Sequence, residues 1–194
     1  MNLSEEKKHL RDSIAERLKK MSKRDRDAES RTLCREIAKL IPHDAHVIAA
    51  YVPLPSEADI TPLLTELLAQ KKRVFLPCFE NKKLIFREAQ SLEELSKGEL
   101  NIMEPPKDTA ELEPANLDLA LIPARAYSQK GERLGRGNGG YDIWIREQRS
   151  TNPKTQFWGI ALECQILNEI PMEPHDETVD MVITARGRQD TEQN

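Results

Sequence analysis

Apolar residues recur at helical spacing in the first part of the chain. The first stripe consists of Leu10, Ile14, Leu18 and Met21. Steps of four, four and three positions predict one apolar face on a helix, for which Ser4 is a candidate N-cap. A second helical pattern runs over 33–41 and ends at Pro42, which cannot continue a helix. Two helices are therefore expected before any strand.

Short apolar runs in the remainder of the chain are typical of buried strands. They are 47–54, 73–79, 83–89, 117–123, 157–163 and 181–185. The second and third are expected to form a hairpin or an adjacent pair, and 95–116 a surface connection or lid. A helix over 61–70, with Thr61 as cap and Pro62 in the first position, separates the first two runs, and another is expected from Ile143 onward.

Strands that alternate with helices predict a mainly parallel sheet with helices on both faces. We therefore expect a single three-layer α/β/α domain, Rossmann-like, in which the N-terminal helices precede the first strand. The domain is expected to cover residues 1–187, and residues 188–194 are expected to form a flexible tail.

Composition narrows the class of protein. Charged residues make up 32% of 194 residues, yet the net charge is only −4, so no extended basic field for nucleic acid is expected. No apolar run approaches the roughly 18 residues of a membrane span, and no secretory leader is evident. Three widely spaced cysteines without a C-x-x-C pair favour buried free thiols. These features predict a cytoplasmic protein without nucleic-acid, membrane or obligate protein partners.

The segment 133–142, RLGRGNGGYD, holds four of the eight glycines of the chain. Glycines that lead into a helix leave backbone N–H groups unhindered, where the helix dipole also favours an anion. Arg133 and Arg136 could add charge-assisted hydrogen bonds to phosphate oxygens. The segment predicts a phosphate-binding loop; a glycine-rich turn whose arginines face water is the alternative.

Related nucleotide-binding motifs do not fit this loop. GRGNGG matches G-x-G-x-x-G, but it lies late in the chain and some eleven residues past Pro123 rather than directly after the first strand. The lysine-serine pair of a Walker A motif is missing, and so are the further signatures of a protein kinase. Phosphate binding therefore remains the prediction. Dinucleotide-binding proteins, P-loop NTPases and protein kinases are excluded.

Several charged side chains near the predicted strand ends are candidates for binding. Asp142 follows the loop and Asp176 precedes the last strand, so both could hold Mg²⁺ beside phosphates, although each could equally be a cap or turn residue. Glu57 follows the first strand, where a solvated carboxylate is the alternative. Charge patterning alone favours a solvent-exposed helix face for Lys7 and Arg11.

Over nearly its whole length the chain resembles the 5-formyltetrahydrofolate cyclo-ligases. The resemblance rests on K-x-x-x-R at 7–11, Y-x-P-x-x-x-E-x-D at 51–59, the E-P pair at 104–105, LDLALIP at 117–123, G-x-R-L-G-R-G-x-G-x-Y-D at 131–142, Gln165, I-P at 170–171 and H-D-x-x-V-D at 175–180. The glycine motif with these flanks, in this order, is specific to that family.

The resemblance implies ATP- and Mg²⁺-dependent ring closure of 5-formyltetrahydrofolate to 5,10-methenyltetrahydrofolate, through a phosphorylated formyl group. It assigns ATP binding to Lys7, Arg11, Arg133, Leu134, Gly135, Arg136, Gly137, Asn138, Gly139, Gly140 and Tyr141. It implies metal binding by Asp142 and Asp176, folate binding by Val52 and Glu57, and a catalytic role for Arg136 and Tyr141.

Three features depart from the family pattern. Asn138 stands where a glycine or lysine is usual, Gly140 stands where a tyrosine is usual, and Tyr127-Ser128 stands where Phe-Asp is usual. These departures leave a second interpretation open, a folate- or nucleotide-binding paralogue with weak or no turnover. A phosphosugar isomerase of related α/β architecture, acting without ATP, is a third.

Overall fold

The computed structural model describes residues 2–98 and 102–189, which form four α-helices and twelve strands. The helices are α1 (Leu3–Lys20), α2 (Lys23–Leu40), α3 (Thr61–Ala69) and α4 (Gly140–Thr151). The strands are β1 (Val47–Ala49), β2 (Arg73–Glu80), β3 (Lys83–Ala89), β4 (Ser96–Lys97), β5 (Met103–Glu104), β6 (Leu119–Pro123), β7 (Ala126–Ser128), β8 (Arg133–Leu134), β9 (Gln156–Ile160), β10 (Ile166–Leu167), β11 (Met181–Thr184) and β12 (Gly187–Gln189). Short 3-10 turns occupy Pro114–Asn116 and Glu163–Gln165.

A seven-stranded sheet in the order β12-β11-β9-β6-β1-β2-β3 organises the molecule. Its five inner strands pair in parallel, and the two edge strands β3 and β12 are antiparallel to their neighbours. From β1 the chain adds β2 on one side, and later β6 on the other. The strand order therefore reverses between β1 and β6, where open α/β sheets bind ligands beyond their carboxyl ends.

Apolar residues on the two faces of the sheet form two separate cores. On one face, residues such as Ile48 and Leu121 pack with Ile14, Leu33 and Leu63, which belong to α1, α2 and α3. On the other face, residues such as Phe75, Ile122 and Phe157 pack with Trp144 and Ile145 of α4. The predicted three-layer α/β/α arrangement, with a mainly parallel sheet and two leading helices, is confirmed.

Both predicted N-caps are wrong by one or two positions. Asn2 caps α1, because its side chain accepts the amide of Glu5 while the Glu5 carboxylate accepts the amide of Asn2, so Ser4 lies inside the helix. Ile60 precedes α3 and offers no side-chain cap. Instead Asp59 accepts the amide of Thr61, which is already helical.

The hairpin of β2 and β3 is confirmed, and its turn residues Asn81 and Lys82 both have positive φ. Cys34 and Cys78 are buried and Cys164 is half-buried, all with free thiols. Among the described residues no helix combines the length and the apolar character needed to cross a bilayer.

The first two residues of the predicted C-terminal tail, 188–194, belong to a strand. Arg188 and Gln189 belong to β12, which pairs with β11 because the chain reverses tightly between Thr184 and Gly187; residues 190–194 lie outside the described residues. Part of the predicted lid, 99–101, also lies outside them. The described part of that segment includes β4 and β5 and carries a buried carboxylate, Glu104.

Candidate functional site

A cavity of about 370 Å³ opens at the point where the strand order reverses. The segment after β1 contributes Tyr51, Val52, Leu54 and Glu57, and the end of β6 contributes Pro123 and the next residue, Ala124. The β2–β3 hairpin contributes Pro77, Cys78, Phe79 and Leu84, and the segment around β5 contributes Ile102 and Glu104. The glycine loop completes the wall with Arg133, Arg136, Asn138, Gly140 and Tyr141. Residues far apart in sequence thus meet around a space that suits a small molecule.

The glycine loop leads directly from β8 into α4. Gly137 and Gly139 have φ values of +100° and +67°, which other residues rarely adopt. Gly139 immediately precedes α4 and provides no side-chain cap, so the amides of the first turn are not capped by a side chain. Arg11 fixes the loop from α1, since its Nε donates to the Gly135 carbonyl at 2.9 Å. The predicted loop-to-helix arrangement is present.

Three arginines gather beside this loop. Arg11 also lies near Gly137, whose Cβ, if it had one, would be 3.7 Å from the Arg11 guanidinium. Burial, reinforced by the charge of Arg136 and by that of Arg11, lowers the pKa of Arg125. Within 2–98 and 102–189, neither Arg125 nor Arg136 has an ion pair or a side-chain hydrogen bond. Few negative charges therefore offset the positive charges of the three guanidinium groups, which favours the binding of an anion.

Arg133 and Asp142 form a buried ion pair beneath the loop. Arg133 Nη2 lies 2.7 Å from Asp142 Oδ1, and the two side chains are only 4% and 12% exposed. The same carboxylate oxygen accepts the amide of Glu177 at 3.2 Å, and the Arg133 guanidinium lies over the Tyr141 ring at 5.6 Å. The alternative in which the loop arginines face water is thus wrong for Arg133, whereas Arg136 is exposed at the cavity.

Lys7 is buried, contrary to the solvent-exposed face that charge patterning favours. Its Nζ lies 2.7 Å from Glu173 Oε2 and 2.5 Å from Asp176 Oδ2. Burial opposes the charge of Lys7, but the hydrogen bonds that it donates to both carboxylates raise its pKa above the usual value. Burial likewise opposes the charge of Asp176, but the Lys7 hydrogen bond and the Glu173 amide lower the pKa of Asp176. Lys7 therefore fastens α1 to the segment before β11.

The two predicted metal ligands lie in neighbouring segments. Asp142 accepts the amide of Glu177, and Asp176 directly precedes that residue. Arg146 of α4 holds this segment, since it donates to Glu177 Oε1 at 2.9 Å and to the His175 carbonyl at 2.7 Å. Glu173, His175 and Asp176 also bring three possible ligand atoms within 4.8 Å of one another.

Val52 and Glu57, predicted to contact folate, both line the cavity. Glu57 is 9% exposed, so the interpretation as a solvated loop carboxylate is wrong. Its Oε2 accepts the Leu54 amide at 3.0 Å. Burial raises the pKa of Glu57, and that amide, Arg136 and Arg125 offset the effect only in part. Burial also raises the pKa of Tyr141, which keeps its phenol neutral.

Sequence patterning missed several residues that line the cavity, among them Cys78, Phe79 and Glu104, and it missed Arg125 beside the glycine loop. Cys78 and Phe79 read as ordinary strand residues, because nothing local indicates that β2 borders a ligand site. Arg125 had a usable signal, since it follows the buried strand β6 as Glu57 follows β1.

Two of the departures from the family pattern, Gly140 and Ser128, have different surroundings. A Cβ at Gly140 would lie 3.8 Å from both Leu84 and Phe79, an ordinary contact distance, so the glycine leaves space inside the cavity wall. Ser128 is fully buried, and its Oγ accepts the amide of Lys130 in a local turn. The first departure affects the shape of the cavity directly.

Comparisons with known proteins agree with these features. The model of the 5-formyltetrahydrofolate cyclo-ligase family matches residues 3–185. A 5-formyltetrahydrofolate cyclo-ligase of Escherichia coli K12 is 34% identical over 144 residues, with 72% of this chain and 78% of that protein covered. The Mus musculus 5-formyltetrahydrofolate cyclo-ligase is 28% identical, with 91% and 92% covered. The solved structure of the Aquifex aeolicus 5,10-methenyltetrahydrofolate synthetase superimposes with a TM-score of 0.82 at 26% identity, covering 97% of this chain and 94% of the other.

Proposed function

The chain belongs to the 5-formyltetrahydrofolate cyclo-ligase family, and we propose that it closes 5-formyltetrahydrofolate to 5,10-methenyltetrahydrofolate with ATP, releasing ADP and phosphate. One observation carries the proposal. A single cavity at the reversal of strand order is bounded by an anion-favouring glycine loop and by a buried carboxylate, Glu57. Such a cavity can hold the phosphate chain of ATP against the folate.

The ATP side of the reaction depends on the glycine loop and its arginines. Phosphoryl transfer from ATP to the formyl oxygen is accelerated mainly by positioning and by neutralisation of charge. Loop amides at the start of α4 can donate to phosphate oxygens, and Arg136 is free to add a charge-assisted fork. Arg11 holds the loop in shape through the Gly135 carbonyl and lies close enough to approach the same anion. Lys7 supports the ATP side from α1, because its ion pairs hold α1 against the segment before β11.

The folate side depends on Glu57, Val52 and Tyr141. A carboxylate can accept two parallel N–H bonds, which suits Glu57 to the amino-pterin edge of the substrate. Val52 supplies apolar contact on the same wall. Once the formyl oxygen is phosphorylated, N10 attacks the activated carbon and phosphate leaves. Tyr141 keeps its proton and can donate a hydrogen bond beside the reacting groups.

Mg²⁺ fits the carboxylates present. Asp142 uses Oδ1 for Arg133 and the Glu177 amide, and its Oδ2 accepts no hydrogen bond among residues 2–98 and 102–189. Asp176 uses Oδ2 for Lys7 and the Glu173 amide, with Oδ1 facing His175 at 4.0 Å. One oxygen of each side chain therefore remains for a cation, and Mg²⁺ commonly takes one or two carboxylates together with substrate phosphates. Bound there, it would neutralise the charge on the phosphates.

A direct assay tests the proposed function. Purified protein with 5-formyltetrahydrofolate and MgATP is expected to produce the absorbance of the methenyl product, together with one ADP per turnover. No product while ligand still binds would instead support the binding paralogue. A reaction that proceeds on a phosphosugar without ATP would favour the isomerase.

The raised pKa of Glu57 predicts a pH dependence of folate binding. The ionised carboxylate accepts hydrogen bonds, and burial makes it take up a proton at a higher pH than an ordinary glutamate. As the pH falls through that raised pKa, the affinity for 5-formyltetrahydrofolate is expected to fall.

Glu57→Gln provides the control for this dependence. The amide should bind folate about tenfold more weakly at neutral pH, because it can accept fewer N–H bonds, and its affinity should no longer change over the acidic range. Calorimetry on both proteins from neutral pH downward measures the two curves. An identical slope in the variant would contradict the assignment.

We further propose that the enzyme acts in the cytoplasm on small molecules, without nucleic-acid, membrane or obligate protein partners. The near-balanced charge of the chain supports this proposal.

A further inference from the structure

Arg125 occupies a fixed position beside the entrance to the glycine loop. Its amide donates to the carbonyl of Leu134, the last residue before Gly135, at 2.8 Å. Its own carbonyl and that of Ala124 each accept Gln165 Nε2 at 3.1 Å. Gln165 is buried, so the backbone of Arg125 is held on two sides. The residue directly follows Ala124 of the cavity wall.

The charges around Arg125 are mostly of its own sign. Arg136 and Arg11 act on it unfavourably, and among residues 2–98 and 102–189 Glu57 is the acidic group whose charge favours it. Glu57 is itself bound to the Leu54 amide and makes no ion pair with Arg125. Arg125 and Arg136, whose charges oppose each other, thus have no carboxylate bound to either of them in the described chain. Such an arrangement opposes stability until an anion enters.

We propose that Arg125 is a third anion-binding arginine of the site and contacts the phosphate chain of ATP together with Arg11 and Arg136. The inference rests on the proposed function and extends it to a residue that the glycine motif does not contain. A planar guanidinium half-buried beside the loop can form two parallel bonds to phosphate oxygens.

A folate carboxylate is the other possible source of such an anion. Phosphate is favoured by position, because the backbone of Arg125 is bonded to the strand that enters the glycine loop, and Arg11 is bonded to that loop itself. A triphosphate also carries more charge than a carboxylate, which suits three neighbouring cations.

Neutral substitutions of Arg125 give the sharpest test. Arg125→Gln and Arg125→Met are compared with Arg35→Gln, a matched change of an exposed α2 arginine that makes no ion pair or side-chain hydrogen bond in the described chain. Both Arg125 variants should raise the KM for ATP about tenfold and weaken calorimetric binding of tripolyphosphate by a similar factor. The KM for 5-formyltetrahydrofolate should stay within about twofold, and Arg125→Lys should fall between wild type and the neutral variants.

Thermal melting provides a readout that a purely structural role would not give. Because removal of Arg125 relieves repulsion, the ligand-free variants should melt at a higher temperature than wild type at low salt, with the difference shrinking as salt is added. Unchanged tripolyphosphate binding, a KM effect confined to the folate, or a lower melting temperature in both neutral variants would overturn the proposal. A wild-type protein without turnover would refute the proposed function, and tripolyphosphate binding would still decide the role of Arg125.

Discussion

Arg136→Ala is expected to lower kcat/KM for ATP by about 100-fold, the scale found when a single donor to a transition-state charge is removed. Arg136 lines the cavity and is exposed, with no hydrogen bond or ion pair in the described part of the chain. Its guanidinium is therefore available to a ligand, and the fold does not depend on it. Steady-state kinetics with ATP varied at saturating folate measure the effect.

The stability of this variant separates a role in binding from a role in folding. The melting temperature of ligand-free Arg136→Ala should match or exceed that of wild type, since the variant lacks one of three like charges. Arg136→Lys should recover part of the rate because it keeps the charge but loses the bidentate fork. Arg35→Ala serves as the control, with unchanged kinetics. Wild-type kinetics in Arg136→Ala would count heavily against the glycine loop as the ATP site.

Asp142→Ala is expected to lower the free energy of unfolding by about 3–5 kcal/mol, as when one partner of a buried ion pair is removed. Arg133, with 4% of its side chain exposed, would be left as an uncompensated charge under the loop. The Glu177 amide would lose its acceptor at the same time. Urea denaturation of the ligand-free protein measures this change.

Companion variants separate the role of Asp142 in the buried ion pair from its role in Mg²⁺ binding. Arg133→Met combined with Asp142→Leu should regain much of the stability, because apolar residues of similar volume often replace a buried pair without loss. Asp142→Asn keeps the size of the side chain and should raise the Mg²⁺ concentration needed for half-maximal rate. A change in unfolding free energy below about 0.5 kcal/mol in Asp142→Ala would be that of a surface position, and the buried-pair account would fail.

Local patterns predicted most of the architecture. Continuous apolar runs located the inner strands, and apolar residues at helical spacing located α1 and α2. Burial on one or two faces of an element requires apolar residues at a characteristic spacing, which the sequence shows directly. The caps were less predictable, since neighbouring polar residues compete for the same amides. At the start of α1, Asn2 rather than Ser4 prevailed because Glu5 completes a reciprocal pair with it.

The glycine loop was the strongest site signal, since only glycine adopts the positive φ angles at 137 and 139 with ease. The partners of its arginines were not predictable. Arg133 and Arg136 have the same chemistry and lie three positions apart, yet one is buried against Asp142 and the other is exposed at the cavity. The direction in which each side chain leaves the backbone decides between these outcomes.

By itself, then, the sequence determined the layered α/β fold, the family and the loop that favours an anion, because propensity, periodicity and glycine geometry act over short stretches of chain. Only the tertiary structure decided that Lys7 is buried against Glu173 and Asp176, and that Arg11 and Arg125 stand beside one loop. Those contacts join residues more than a hundred positions apart, or depend on the pairing of short strands. Their charges acquire a role only after the sheet has brought distant segments to the same edge.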